Sequence, residues 1–217
     1  LEMPKSSLHH YLESLQYHRI ITKEDECYRM NLKLLTYSGR VRDSQPAFSN
    51  HKQRVDTLST KANENAQIVV EENMEGVYLY QSIVNDNHTD TCLGTRVGLH
   101  SSAAGKAILA QLPDTAIREY LEDRDLERFT ENTVTEANAL WEEIETVRQK
   151  GVAFDDEEQF PGVRCVAGPI GQDNEQYTAA ISITATVSDL DTYRFKNEIP
   201  SLVKFLDERA IFEKDGM

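Results

Sequence analysis

Residues 151–170, read GVAFDDEEQFPGVRCVAGPI, hold the side chains of this chain best suited to chemistry. Four successive carboxylates, Asp155, Asp156, Glu157 and Glu158, follow the apolar run 152–154. A Pro161-Gly162 pair then returns the chain into a second apolar run, which carries one thiol, Cys165, and ends at Pro169. Carboxylates can shuttle protons or accept from a bound hydroxyl, and a thiol can act as a nucleophile or metal ligand once ionised. The β-branched flanks and the Pro-Gly pair predict two buried strands joined by an acidic loop. Asp155 and Cys165 then sit at strand ends facing one space, the place where α/β domains bind small molecules. The competing reading is a solvated acidic turn with a core cysteine.

Three chemistries compete for these residues. A nucleophilic cysteine needs a base, and of the six histidines (His9, His10, His18, His51, His88 and His100) only His100 is a plausible neighbour. An enzyme using Cys165 and Asp155 is therefore the weaker alternative. Zinc accepts mixed ligands such as Asp155, Cys165 and a histidine, but no local spacing motif supports a site, and no metal or other cofactor is expected. The third is ligand binding without turnover. The stretch 99–110, LHSSAAGKAILA, reads as a helix whose first turn is rich in small residues, Ser101, Ala103 and Ala104. Small side chains let an anion reach the free amides of a helix start, although they equally permit close packing on a sheet. Lys106, within two turns of that start, belongs either with the anion or on the solvated surface.

The elements that must position these groups are legible in order. Leu8, Leu12 and Leu15 repeat at helical spacing behind a polar front of Lys5, Ser6, His9, His10 and Glu13. Residues 20–23 and 27–30 flank Glu24-Asp25-Glu26 as a hairpin. Helix followed by hairpin is the second half of a winged helix-turn-helix, in which Lys5, Ser6, His9 and His10 contact bases or phosphate, and Lys23 and Arg29 steady the wing on the backbone. A linker helix over residues 32–45 closes this part, so the expected organisation is a partial DNA-binding domain at 1–31, the linker, and a larger domain at 46–217. That larger domain opens with a helix from residue 47 to about 63. Strands at 67–71 and 76–84 follow, with Asn73 and Gly76 making the turn between them. A polar stretch, 85–90, leads to the small-residue helix. Asp114 caps a further helix to Leu121, and 136–150 forms an amphipathic helix stopped by Gly151. A polar hairpin turn at 171–176 precedes 177–187, whose apolar residues alternate with Ser182, Thr184 and Thr186 as in a half-buried strand. A last helix, about 191–209, should bend or split at Pro200.

Composition bounds the function. The 217 residues are 39% hydrophobic, enough for a core, and no apolar run reaches the roughly 20 residues of a bilayer crossing. With no basic-then-apolar leader, a cytoplasmic chain is expected. Cys27, Cys92 and Cys165 are too scattered for a disulfide framework and read as free thiols. A net charge of −14 argues against nucleic acid as a sum, yet residues 1–45 carry +1 and the remainder −15. Such an acidic surplus on the larger part fits a surface adapted to high salt, hence a halophilic source.

Several segments together resemble the IclR family of bacterial and archaeal transcription regulators: Met3-Pro4-Lys5-Ser6-Ser7, Leu99-His100-Ser101 leading into Gly105-Lys106-Ala107-Ile108-Leu109-Ala110, Gly151 through Glu158, Gly162-Val163-Arg164-Cys165-Val166-Ala167 with Pro169-Ile170, and Ala179-Ala180-Ile181-Ser182-Ile183. The resemblance implies an α+β chain made of an N-terminal winged helix-turn-helix, whose first helices precede Leu1, a linker helix, and a GAF-like effector-binding domain with a mainly antiparallel sheet. It implies homodimers or homotetramers on palindromic double-stranded operators, with no enzymatic activity. It also puts an effector pocket on the backbone amides of Ala103 and Ala104 and on Asp155, Cys165, Ser182 and Thr184, with Val97 and Val163 as apolar wall. Ala103 stands where some relatives have Gly and Thr184 where they have Ser, and both narrow the pocket. A hydroxylated, oxo or sugar-derived small organic acid is the expected effector, with Asp155 protonated or bonded to a ligand hydroxyl.

Overall fold

Residues 3–85, 92–171 and 177–204 are described by a computed structural model. The polar stretch before Cys92 falls largely outside these residues, as do His88, the turn at 172–176 and the end of the last helix. The chain divides into two units, Leu1–Gln45 and Pro46–Met217.

In the first unit, helix α1 (Lys5–Tyr17) precedes a hairpin of β1 (Ile21–Glu24) and β2 (Cys27–Met30), followed by α2 (Lys33–Asp43). Asn31 joins hairpin to helix: its Nδ2 donates to Thr22 Oγ1 at 2.8 Å, and its Oδ1 accepts the Lys33 amide at 2.9 Å. No residue of α1 or α2 is buried, so the apolar back formed by Leu8, Leu12 and Leu15 is not covered.

The second unit is built on a six-stranded antiparallel sheet in the order β5-β4-β3-β8-β7-β6. Its strands are β3 (Asn65–Glu72), β4 (Glu75–Ser82), β5 (Arg96–Val97), β6 (Ala153–Asp156), β7 (Val163–Ile170) and β8 (Ala179–Thr186). The helices are α3 (Pro46–Ala62), α4 (Ala103–Leu109), α5 (Asp114–Asp123), α6 (Ala137–Lys150) and a final helix α7 at 192–204. One sheet face is mainly apolar: Ile68, Leu79, Val166, Ile181 and Ile183 pack with Val55 and Leu58 of α3 and with Phe195, Ile199 and Val203 of α7, while the Arg164–Asp156 ion pair lies toward its margin over the Phe195 ring. Fully buried side chains such as Leu58, Ile68 and Ile183 each contribute about 1.5–3 kcal/mol. The other face packs Val69, Ala153, Ala167 and Ala180 against α4, which α5 and α6 back with Ile117, Leu140 and Ile144.

Several local expectations change. The β3–β4 turn is Asn73-Met74, both at positive φ (57° and 61°), with the Glu71 carboxylate accepting the Met74 amide at 2.8 Å. Gly76 instead lies within β4, where an added Cβ would meet Val69 at 3.0 Å and Val97 at 3.1 Å. Strand β8 is buried on nearly every residue rather than half-buried, because both sheet faces are covered. The helix expected from residue 99 begins only at Ala103: Ser102 is its extended cap, and its Oγ accepts the Gly105 amide at 3.1 Å. Asp114 makes no cap and pairs with Arg148 at 2.8 Å. Pro200 neither splits nor ends α7. A wider π turn at Arg194–Glu198 precedes it, which relieves the clash between the proline ring and the previous turn's carbonyl.

Candidate functional site

Because side chains alternate along a strand, register decides which of them share a face. Asp155 pairs with Cys165, Cys165 with Thr184, Ala167 with Ser182, and Ser182 with Gln67. Asp155, Cys165, Ser182, Thr184 and Gln67 therefore form a polar row across β6, β7, β8 and β3, on the face that α4 covers. Val163, two residues before Cys165, shares this face, and so does Val97, which touches the built Cβ position of Gly76. All the predicted effector residues thus fall on one side of one sheet.

The start of α4 stands over that face. Gly105 allows it: a Cβ there would lie 2.5 Å from the Leu99 backbone, so only glycine permits this approach of helix and preceding turn. The amides of Ala103 and Ala104, both buried, make no hydrogen bond to the described residues. In a helix's first turn such amides have no partner within the helix, and they suit a carboxylate.

Asp155 is 1% exposed. Burial pushes its carboxyl up to about 6, against the opposing pull of the Glu158 amide and Lys106. Its Oδ1 accepts the amides of Glu158 at 2.7 Å and Gln159 at 3.3 Å, which folds the acidic loop back over the sheet edge. Other groups fasten the same loop. Thr130 and Thr133 donate to the carbonyls of Glu157 and Glu158, each at 2.7 Å, and the Ser101 hydroxyl donates to Gln159. The loop is not the solvated turn of the competing reading.

Lys106 is neither a surface lysine nor an anion ligand. It is 2% exposed, and its Nζ donates at 2.7 Å to both Glu143 and Glu158. Burial opposes its charge, but the two carboxylates outweigh that and raise its pKa. Burial pushes Glu158 up to about 7, and its Oε2 has no partner among the described residues.

Cys165 Sγ lies 3.2 Å from Thr184 Oγ1. Burial and the nearby Asp155 raise the thiol well above its ordinary value, the opposite of what a nucleophile needs. His100, its proposed base, is engaged elsewhere: Nε2 lies 3.0 Å from the Glu127 carbonyl, and the ring stacks on Phe129. Among the described residues no cluster of three His, Cys, Asp or Glu side chains could hold a metal.

Two members of the polar face escaped the sequence reading. Gln67, 2% exposed, accepts at Oε1 from Ser182 at 2.9 Å and from Thr184 at 3.3 Å. Tyr78 packs half-buried against the same cluster, with its hydroxyl raised by burial and by Cys165 and Asp155. The one available signal was parity: Gln67 interrupts an apolar strand, in step with hydroxyl-bearing positions of its neighbour. A cavity of about 480 Å³ lies elsewhere, between residues 128–132 and Glu157 and Pro161 on the outer side of the acidic loop.

In the first unit Lys5, Ser6, His9 and His10 are all exposed on α1, with His9 and His10 at 3.2 and 3.6 Å from Glu13. The hairpin separates the other two predicted DNA contacts. Arg29 pairs with Thr22, so Lys23 points to the opposite face, and Arg29 is bonded to Glu24.

The fold agrees with what the chain is similar to. The probable HTH-type transcriptional regulator ArcR of Halobacterium salinarum is 29% identical over 208 residues, 94% of this chain and 79% of that protein. XynR of Escherichia coli, another HTH-type regulator, is 29% identical over 203 residues, 90% of this chain and 79% of its own. The crystal structure of Thermotoga maritima IclR superposes with a TM-score of 0.81 at 28% identity, covering 95% of this chain and 84% of that one. These relatives define a transcription regulator rather than an enzyme. Residues 40–210 match the family model described as bacterial transcriptional regulator IclR C-terminal, and the chain belongs to the IclR family.

Proposed function

We propose that the second unit senses a small organic acid and that the first unit binds a palindromic operator as part of a homo-oligomer, with the acid altering that binding. The observation that carries the sensing half is the pairing of two unengaged buried amides, Ala103 and Ala104, with a buried polar row on the sheet face below them. Buried polar groups are costly unless they serve structure or ligand. The ligand's carboxylate sits at the amides, its polar groups meet Ser182, Thr184, Cys165 and Asp155, and Val97 and Val163 flank it. Operator contacts come from the exposed front of α1, Lys5, Ser6, His9 and His10, with Lys23 on the wing; Arg29 contributes only if it releases Glu24. Residues 32–45 act as the linker between the two activities. The −15 charge beyond residue 45 supports a cytoplasm of high salt as the working medium.

Isothermal titration calorimetry of the chain with a panel of hydroxy, oxo and sugar-derived acids tests the sensing half. Heat from at least one, abolished by Ser182→Ala with Asp155→Asn, is expected. Binding of an aromatic compound with none from the acids would sink it. Anisotropy with DNA preceding the protein's own gene, with and without the bound acid, tests the coupling.

A further inference from the structure

The hydrogen bonds around Gln67 have a direction. Both neighbouring hydroxyls point at its Oε1, Ser182 at 2.9 Å and Thr184 at 3.3 Å. Thr184 has one alternative acceptor, Cys165 Sγ at 3.2 Å, and Cys165 is itself hydrogen-bonded to Asp155. The hydroxyl hydrogens are thus used within the protein on either choice, and Ser182 and Thr184 are left with lone pairs. On the donor side, the Nε2 of Gln67 makes no hydrogen bond to the described residues. The Tyr78 hydroxyl likewise makes none, and it lies near Cys165 and Asp155.

We propose that Gln67 is the specificity-determining residue of this site: by holding Ser182 and Thr184 as acceptors it selects a hydroxy acid over the oxo acid of the same carbon skeleton. A ligand hydroxyl donates to a Ser182 or Thr184 lone pair while accepting from Gln67 Nε2. A ligand carbonyl accepts from Nε2 alone and leaves its oxygen facing those lone pairs, an unmade hydrogen bond in a buried place. The inference rests on the organic-acid reading above and narrows it to one oxidation level. Losing one such hydrogen bond corresponds to about a tenfold difference in affinity.

The test is calorimetric titration of the full chain with matched pairs: each lactate enantiomer against pyruvate, and gluconate against 2-oxogluconate. In the unaltered protein the hydroxy member of a bound pair should be tighter by about tenfold. Gln67→Met keeps the side-chain length but frees both hydroxyl hydrogens to turn toward the ligand, so the ratio should fall to unity or invert. An oxo acid bound as tightly as its hydroxy partner by the unaltered protein, as a reversed Gln67 amide would produce, overturns the inference while leaving the organic-acid reading intact. A ratio unmoved by Gln67→Met in a variant with an intact thermal transition removes Gln67 from the role. No heat from any acid overturns both readings. The unaltered protein's own ratio decides the matter even if the variant does not fold.

Discussion

A buried ammonium survives at Lys106 because Glu143 and Glu158 reach it, and Glu158 in turn keeps one oxygen unpartnered among the described residues. Its raised pKa gives stability a definite pH dependence. The folded chain holds the Glu158 proton up to about 7, whereas an unfolded carboxyl releases it near 4.5. Stability from this group is therefore complete at acidic pH and is lost as pH rises through that window; Asp155, raised to about 6, acts in the same sense. Urea titrations of Glu158→Gln should show a smaller loss between acidic and mildly alkaline pH than the unaltered protein, by about 2 kcal/mol. Equal slopes would mean that Glu158 is ionised throughout. None of this was legible beforehand, since Lys106 lies 52 residues from Glu158 and 37 from Glu143, and helical spacing alone left it between ligand and surface. Asp155 and Cys165 were legible as a facing pair because a short acidic loop between two apolar runs fixes their register; the side-chain network of Gln67 has no such local cue.

At the scale of elements, α4 is the piece whose placement matters most, and a single contact governs it. A Cβ on Gly105 would press into Leu99 Cα and carbonyl oxygen at 2.5 Å, and backbone cannot swing away as a side chain can. Gly105→Ala should cost about 3 kcal/mol and displace the Ala103 and Ala104 amides, so that binding of the proposed organic acid weakens even where the variant remains folded. Gly168→Ala is the comparison: its Cβ would meet the Val203 side chain at 2.6 Å, while the nearest backbone atom, the Gly151 carbonyl oxygen, stays at 3.5 Å, so no backbone has to move. Denaturant melts that rank the two variants in the reverse order would refute this account. The periodic elements were readable from sequence, α3, α6 and β8 above all, because apolar spacing reports buried faces directly. What spacing misreported was the environment: the Ser182, Thr184 and Thr186 alternation looked like a wetted face, but tertiary covering makes it an interior one. The start of α4 was read too early because Leu99 and His100, both buried, continue an apolar pattern through a turn.

For the whole molecule, charge is unevenly shared, −15 beyond residue 45 against +1 before it. Mutual repulsion among so many carboxylates is relieved by counterions, whereas exposed pairs such as Lys52–Asp56 lose little when screened. The midpoint of thermal unfolding should therefore climb from dilute buffer to molar KCl, and a flat profile would count against adaptation to salt. Charge asymmetry and family likeness could both be read from the chain, as could the change of character near residue 45. The lack of buried residues in α1 and α2 could not, because an apolar stripe states what a helix can cover and not whether anything covers it. The sheet, finally, stops at two very short outer strands, Arg96–Val97 on one side and Ala153–Asp156 on the other. Stubs of two and four residues offer almost no backbone ladder for a neighbouring chain to join. Along those two stubs the sheet is kept clear of the runaway strand-to-strand stacking that long bare margins invite.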